Sequence, residues 1–428
     1  MTAVLSLFLV FVAIGTPIAF ALGGAAAIGL WLMEGVPMDI VASRTFGAID
    51  SFTYLAIPFF ILAGELMETG GISRRLITFA TALVGHVRGG LGNVVVLAMM
   101  LFSGISGSTN ADAAAVGSVM IPSMKERGYS GARAGAIVAA AAGMGILVPP
   151  CLTMVVYGSV TNTSVAALFA AGFLPAFIMA GALMIHLRIQ ERRAGLSPEP
   201  RVSWRGRFQA FLSAGWALLL PVIIFGGILG GLFTPTEAAV VAVAYATIAG
   251  TVLYREITPA FFARALVRSG IATGAVMLMI AGANILAWLM TVEQVPQALA
   301  ELIASVGGGR TMFMILSILV FLVLFALLDG IPGMLMLIPV FVPIARELGI
   351  DLLHYGTVMT TVMGIALFTP PLGVGLYIIL GISGATLPEL TRHLWPYLLT
   401  MLAVALLIAF VPIVVYAVPA ALGLHSLT

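Results

Sequence analysis

The chain has 428 residues, of which 61% are hydrophobic and 8% charged, far below the roughly 25% charged residues of a soluble domain. Its mean hydropathy is +1.16, and a formal charge of +2 with no Lys/Arg tract along a helix face excludes a nucleic-acid partner. Apolar runs of about 20 residues, enough to cross a ~30 Å hydrocarbon core as helix, recur along the whole length. Alternating apolar and polar strands are absent, which excludes a barrel. The chain is read as an all-α, multi-pass integral membrane protein in a lipid bilayer.

No basic region precedes the first apolar stretch, so residues from Thr2 onward read as a retained membrane segment and not a cleaved signal. Ile72 to Gly90, with Arg74, Arg75 and Arg88, predicts a helix lying in the interface. Asn93 to Met124 follows as two apolar arms of about 12 to 15 residues, short for a span. Between them lies a polar centre of Ser106, Gly107, Ser108, Thr109, Asn110, Ala111 and Asp112. This predicts a re-entrant helical hairpin (about 93–124), because irregular backbone at membrane depth survives only inside protein or beside a water-filled cavity. After a basic loop (Lys125, Glu126, Arg127, Arg133), residues 131–160 predict a helix broken at Val148, Pro149, Pro150 and Cys151. A span near Ser164 to Leu187 completes a first unit, 1–187.

Residues 188–209 hold Arg188, Arg192, Arg193, Arg201, Arg205 and Arg207 against Glu191 and Glu199. A short loop so rich in Arg is expected to be cytoplasmic and to serve as a solvated linker. The second unit, 210–428, repeats the first. A displacement of 221 positions carries Pro122 to Pro343, Lys125 to Arg346, Glu126 to Glu347, Gly128 to Gly349, Gly143 to Gly364, and Pro149 and Pro150 to Pro370 and Pro371. Matches at Pro and Gly carry weight because these residues fix backbone geometry. The second hairpin is expected at about 313–345, with its tip at Asp329, Gly330, Ile331, Pro332 and Gly333. The second broken helix is expected at about 352–382, interrupted at Thr369 to Gly373. The stretch equivalent to the first interfacial helix, Glu293 to Arg310, carries Arg310 alone where the first carries Arg74, Arg75 and Arg88. That asymmetry predicts that the two repeats are inverted, with their site between them.

A proline pair removes an amide donor and frees a carbonyl one turn earlier, which suits a cation. The half-helix starting after the break presents amides and a positive dipole end, which suits a carboxylate. Each tip facing a break therefore offers cation and anion positions side by side. A kink needed only for packing is the competing account of either break, and local turn bonding is that of Ser106, Ser108, Thr109 and Asn110. Asp112 and Asp329 are acidic residues at membrane depth and functional candidates by default, although Asp112 could equally cap the returning arm. Glu65 and Glu237 also lie in apolar spans, and Glu237 after Thr234, Pro235 and Thr236 fits a first-turn dipole partner. The five His residues show no metal-ligand spacing, and no Gly-rich loop carries a phosphate-binding Lys. Cys151 is the sole cysteine. An aspartyl protease dyad of Asp112 and Asp329 is disfavoured by their place at hairpin tips.

At these residues the chain resembles the large membrane subunit of the tripartite ATP-independent periplasmic (TRAP) transporters, the DctM-like family of the ion-transporter superfamily. The matching stretches are Gly85 to Leu91, Ile105 to Ser108, Gly128 and Tyr129, Pro149 to Tyr157, Thr234 to Glu237, and Thr369 to Gly373, and they recur in order over essentially the whole chain. The resemblance implies an elevator-type transporter in the bacterial inner membrane that is not an enzyme. It implies sodium as the coupling ion, no other cofactor, and an organic-acid substrate. It also implies two partners, a small four-helix membrane subunit (DctQ-like) and a periplasmic solute-binding protein. Carried over by position, Ser106, Gly107, Ser108, Asn110, Val148 and Pro149 would form sodium site one, and Asp329, Gly330, Thr369, Pro370 and Gly373 sodium site two. Ser108, Thr109, Asn110, Asp112, Cys151, Ile331 and Pro371 would hold the substrate. Two departures stand out: Cys151 replaces the family's usual Ser, and Ser108 to Asp112 replaces a Ser/Ala-rich run. The alternatives are a self-sufficient sodium/dicarboxylate symporter of the same superfamily and, from another class, a membrane-embedded hydrolase.

Overall fold

Helix ends fall where the sequence places Pro, Gly and small capping residues. The computed structural model describes residues 2–425 apart from 33–36, 69–71, 88, 195–198, 296, 299–300 and 302–308. Among the described residues there is no strand. Seven helices are long and apolar enough to cross a membrane, or up to eight if the bent pair Asp39–Ile49 and Phe52–Met67 is one span. An outer frame is made by α1 (Thr2–Ala13), α2 (Ile18–Trp31), α3 (Asp39–Ile49) and α4 (Ala56–Glu68); α2, α3 and α4 pack on helices from the second half, and α1 packs on α2. Next, α5 (Ile72–Val84) leads into the first hairpin, α6 (Gly90–Ser106) and α7 (Thr109–Glu126). The broken helix is α8 (Gly131–Gly145) and α9 (Leu152–Thr161), and α10 (Val165–Ala194) closes the unit.

The second half supplies α11 (Trp204–Leu229), α12 (Pro235–Ile248) and α13 (Pro259–Val292) to the frame. It continues with a second hairpin, α14 (Gly309–Leu327) and α15 (Gly330–Glu347), and a second broken helix, α16 (Leu352–Ala366) and α17 (Val374–Ser383). The last helices are α18 (Leu387–Phe410) and α19 (Ile413–Ala421). The displacement of 221 maps the ends of α7 onto those of α15 and the ends of α8 onto those of α16. Both Pro–Pro bonds are cis. Glu237 accepts from the Thr234 amide at 2.8 Å and hydroxyl at 2.9 Å, a capping box that assigns it to the first turn of α12.

In lipid, helices gain little from burying apolar surface and associate through close packing of small residues. Helix α8, almost entirely Ala and Gly, is buried on all sides and touches α6, α7, α16, α17 and α18. Where α8 crosses α16, a Cβ added at Gly143 would stand 2.5 Å from the Gly364 carbonyl oxygen, and one added at Gly364 would stand 2.1 Å from that of Gly143. These residues are equivalent, so the contact is self-complementary. On one side of it Gly135 packs on Ile379, and on the other Gly356 packs on Tyr157. Ile379 is the counterpart of Tyr157, since α17 starts one residue later than the displacement gives. The partners therefore run in opposite order along the two broken helices, and the repeats are inverted.

Two expectations need correction. The hairpin arms have 17 and 18 residues in the first unit and 19 and 18 in the second, so their length does not separate them from spans. They are hairpins because Gly107, at the first turn, lies against the break between α8 and α9. The basic interval 188–209 is mostly helix at its two ends, and it is not merely solvated. Glu191, 3% exposed, accepts from the Tyr129 hydroxyl, while Glu199 pairs with Arg127 and its amide donates to Gly85 at 3.0 Å. The counterpart of the interfacial helix, Glu293 to Arg310, lies in large part outside the described residues.

The inverted arrangement makes a labelling prediction at two exposed, equivalent positions. With Cys151 replaced by Ser, Glu126→Cys and Glu347→Cys are expected to react on opposite faces. An impermeant maleimide added outside intact cells should label only the second. Equal labelling from outside would contradict the placement.

Candidate transport site

The first tip is built by three short-range devices. Gly107 ends α6 with φ +66°, a left-handed turn that glycine adopts without penalty. Ser108, not Asp112, caps α7, accepting from the Ala111 amide at 3.5 Å. Asp112 lies one turn further, 1% exposed, and its two carboxylate oxygens accept from the Ser103 and Ser106 hydroxyls. The Ser108 amide donates to Ser106 Oγ at 3.2 Å. Gly145, at the end of α8, leaves room for this group, because a Cβ there would meet Ser103 Oγ at 2.1 Å. Asp112 thus fastens both arms of the hairpin beside the end of α8.

The tip and the first break meet through backbone. A Cβ at Gly104 would be 3.2 Å from Pro149 O, and one at Gly107 would be 3.2 Å from Pro150 O and 3.6 Å from Leu152 N. The carbonyl oxygens of the two prolines themselves therefore face the tip, and the amides that open α9 stand beside them. Cys151 caps α9 without a capping hydrogen bond and is 2% exposed.

At the second tip Asp329 caps α15, its Oδ1 accepting from the Gly330 amide at 2.9 Å. The same oxygen accepts from Asn110 Nδ2 at 3.4 Å, so the two tips touch. The second break is more internally bonded than the first. The Thr369 hydroxyl donates to Ile365 O at 2.9 Å, the Gly373 amide to Thr369 O at 3.0 Å, and the Tyr377 hydroxyl to Pro371 O at 2.9 Å.

A cavity of ≈ 100 Å³ lies between the tips and the breaks. Three helices begin at its wall: α7 with Thr109 and Asn110, α9 with Leu152 and Thr153, and α15 with Gly330 and Ile331. Two helices end there, α8 at Ile146 and α16 at Leu367. Amide ends suited to an anion and carbonyl ends suited to a cation thus share one small space. A second cavity of ≈ 280 Å³ adjoins it, between the first tip, α4, α13 and Asp329.

Of the residues named from sequence, Gly107, Ser108, Thr109, Asn110, Asp329, Gly330 and Ile331 line the smaller cavity, and Ser106 lines the adjoining one. Asp112 and Cys151 stand behind the tip and the break and line neither. Thr369, Pro370, Pro371 and Gly373 are not in these walls either, and the second half meets its tip one turn earlier, at Met363 and Leu367. Sequence reasoning missed Thr153, Ile146 and Leu367, of which the last two are equivalent under the displacement and so were discoverable. It missed Gly64 of α4 altogether, where a Cβ would meet Ser106 O at 2.5 Å.

Residues 5–414 match the family described as tripartite ATP-independent periplasmic transporter, DctM component. The chain belongs to that family. It is 40% identical over 404 residues to the C4-dicarboxylate TRAP transporter large permease protein DctM of Pseudomonas aeruginosa, covering 94% of this chain and 95% of the relative. It is 38% identical over 398 residues to the sialic acid TRAP transporter large permease protein SiaM of Vibrio cholerae, covering 93% of each. It is 36% identical over 406 residues to the isethionate TRAP transporter permease protein DctMQ of Oleidesulfovibrio alaskensis, covering 95% of this chain and 64% of that one. The fold is shared with the YdaH transporter of Alcanivorax borkumensis, with a TM-score of 0.66 and 17% identity over 94% of this chain and 97% of the other. This TRAP large permease is thus a multi-pass membrane protein built from two inverted units.

Proposed function

We propose that this TRAP large permease imports an organic acid across the bacterial inner membrane, coupled to sodium and dependent on a periplasmic binding protein. The observation that carries the reading is the convergence of three helix starts and two helix ends on the cavity between the tips. A carboxylate is the anion such amides favour, and backbone carbonyls and hydroxyls are the hard oxygen ligands that suit sodium over softer ions. Site one is drawn from Ser106, Gly107, Ser108 and the carbonyls of Pro149 and Pro150, and site two from Asp329, Gly330 and the end of α16. Transport proceeds by an elevator movement in which the hairpins and broken helices slide against the frame. The bare backbone contact of Gly64 with Ser106 supports this, since it leaves no side chain to interlock. A small membrane subunit completes the permease. Its need is supported by the longer DctMQ relative, which this chain covers to 64%. Catalysis is not part of the reading, because Asp112 and Asp329 bind different partners and form no shared-proton dyad.

The test is uptake into proteoliposomes holding this subunit and its small partner, with the binding protein loaded with the organic acid it retains on purification. Uptake is expected to rise steeply with an inward sodium gradient and to stop when the binding protein is left out. Undiminished uptake in sodium-free buffer would overturn the coupling, and uptake without the binding protein would favour the self-sufficient symporter.

A further inference from the structure

The 280 Å³ cavity continues along α7 into a wider one of ≈ 800 Å³ that opens to the surface. On the α7 side the wall is smooth, with Ala111 lining the inner cavity and Ala114, Ala115 and Ser118 the outer one. The facing wall is charged. Glu65 of α4 stands in both cavities and so marks their junction, and Arg74, Arg75, Glu256 and Arg268 surround the outer space. Arg75 is held on two sides, 3.1 Å from Glu256 and 4.2 Å from the centre of the Tyr254 ring. Arg268, on α13, is different. Its guanidinium reaches Glu65 only at 3.9 Å, and its side chain is 66% exposed.

Among the described residues, the walls of both inner cavities hold no Lys or Arg. An anion leaving the tips therefore meets its first cationic side chain where Glu65 and Arg268 face each other. A contact of 3.9 Å is too long for a direct hydrogen bond, and an exposed pair of this kind is weak. A guanidinium so placed can exchange one carboxylate for another, with its planar fork suited to either. The α7 wall offers no competing charge, and its one hydroxyl, that of Ser118, donates back to the Ala115 carbonyl at 3.0 Å.

We propose that Arg268 is the carboxylate-receiving group of the passage between the transport site and the vestibule, taking the organic anion from the tips by exchange with Glu65. This rests on the reading of the chain as an organic-acid transporter. It adds a specificity-determining residue outside the tips and breaks. The frame, not the hairpins, supplies the cation that favours anionic cargo.

The experiment uses a Glu65→Gln, Cys151→Ser background, in which the charge of Arg268 is read apart from its pairing with Glu65. A reporter cysteine, Ala111→Cys, is placed just inside the junction. Its rates of modification by an anionic and by a neutral methanethiosulfonate are measured on the purified full chain. Adding Arg268→Gln is expected to slow the anionic reagent about fivefold and leave the neutral one unchanged, as loss of one focusing charge requires. Arg268→Lys should restore most of the rate. In the uptake assay, without the reporter, Arg268→Gln in the Glu65→Gln background should lower the initial rate by a similar factor. Equal anionic rates with and without Arg268, or equal uptake, would overturn the proposal. Labelling needs no transport, so its failure is distinct from failure of the transporter reading, which would appear as absent sodium-driven uptake by the unaltered protein.

Discussion

Gly364→Ala is expected to remove this protein from the membrane or leave it grossly destabilised. The new methyl would lie 2.1 Å from the Gly143 carbonyl oxygen and 2.6 Å from Ile146 Cγ2, where the two broken helices cross. A backbone oxygen in the middle of a helix cannot swing aside, so the helices would have to part. Overpacking of this kind costs on the order of 3 kcal/mol, while the gain in helix propensity returns only about 1 kcal/mol. The same change at Gly215 of α11, which has no neighbour within 4 Å, should be neutral or slightly stabilising. Thermal unfolding of the detergent-solubilised variants, followed by size-exclusion fluorescence, compares the two. A Gly364→Ala protein that melts with the unaltered one would mean the crossing is looser than described.

Asp112→Ala is expected to be nearly as damaging, and more informative about transport. It leaves without this acceptor the hydroxyls of Ser103, 2% exposed, and of Ser106 at the wall of the 280 Å³ cavity. Buried groups deprived of partners cost about 1–3 kcal/mol each. Asp112→Asn keeps the shape and one acceptor oxygen, so it should fold better than the alanine variant. Both should lose sodium-dependent uptake per molecule, because the first tip would no longer be fixed against the end of α8. Normal uptake by a well-folded Asp112→Ala protein would show that the tip does not depend on this anchor.

Features that depend on backbone geometry were legible in the sequence. Paired prolines and repeated glycines located both tips, both breaks and the internal symmetry, because few other residues can occupy those positions. Features that depend on what packs where were not. Counting apolar residues makes the arms of the hairpins too short to span, since the count stops at polar residues that nevertheless continue the helices. Thr369 looked like a ligand by its place beside a proline, yet its hydroxyl turns back onto Ile365 O. Asp112 looked like a cap or a cavity residue, and only the structure brings Ser103, nine positions earlier, to its other side. Glu65 and Arg268 are 203 positions apart, and nothing in their local sequence joins them.

Whether the tips and breaks of the two inverted units bind sodium, as proposed, is tested by equilibrium binding of ²²Na⁺ to the purified subunit, without any need to know the substrate. Saturable binding is expected, displaced by unlabelled sodium and not by potassium. Binding should be weakened by Ser108→Ala at the first tip and by Asp329→Asn at the second, in proteins that elute and melt normally. Absence of saturable binding, or binding untouched by changes at both tips, would contradict the proposal.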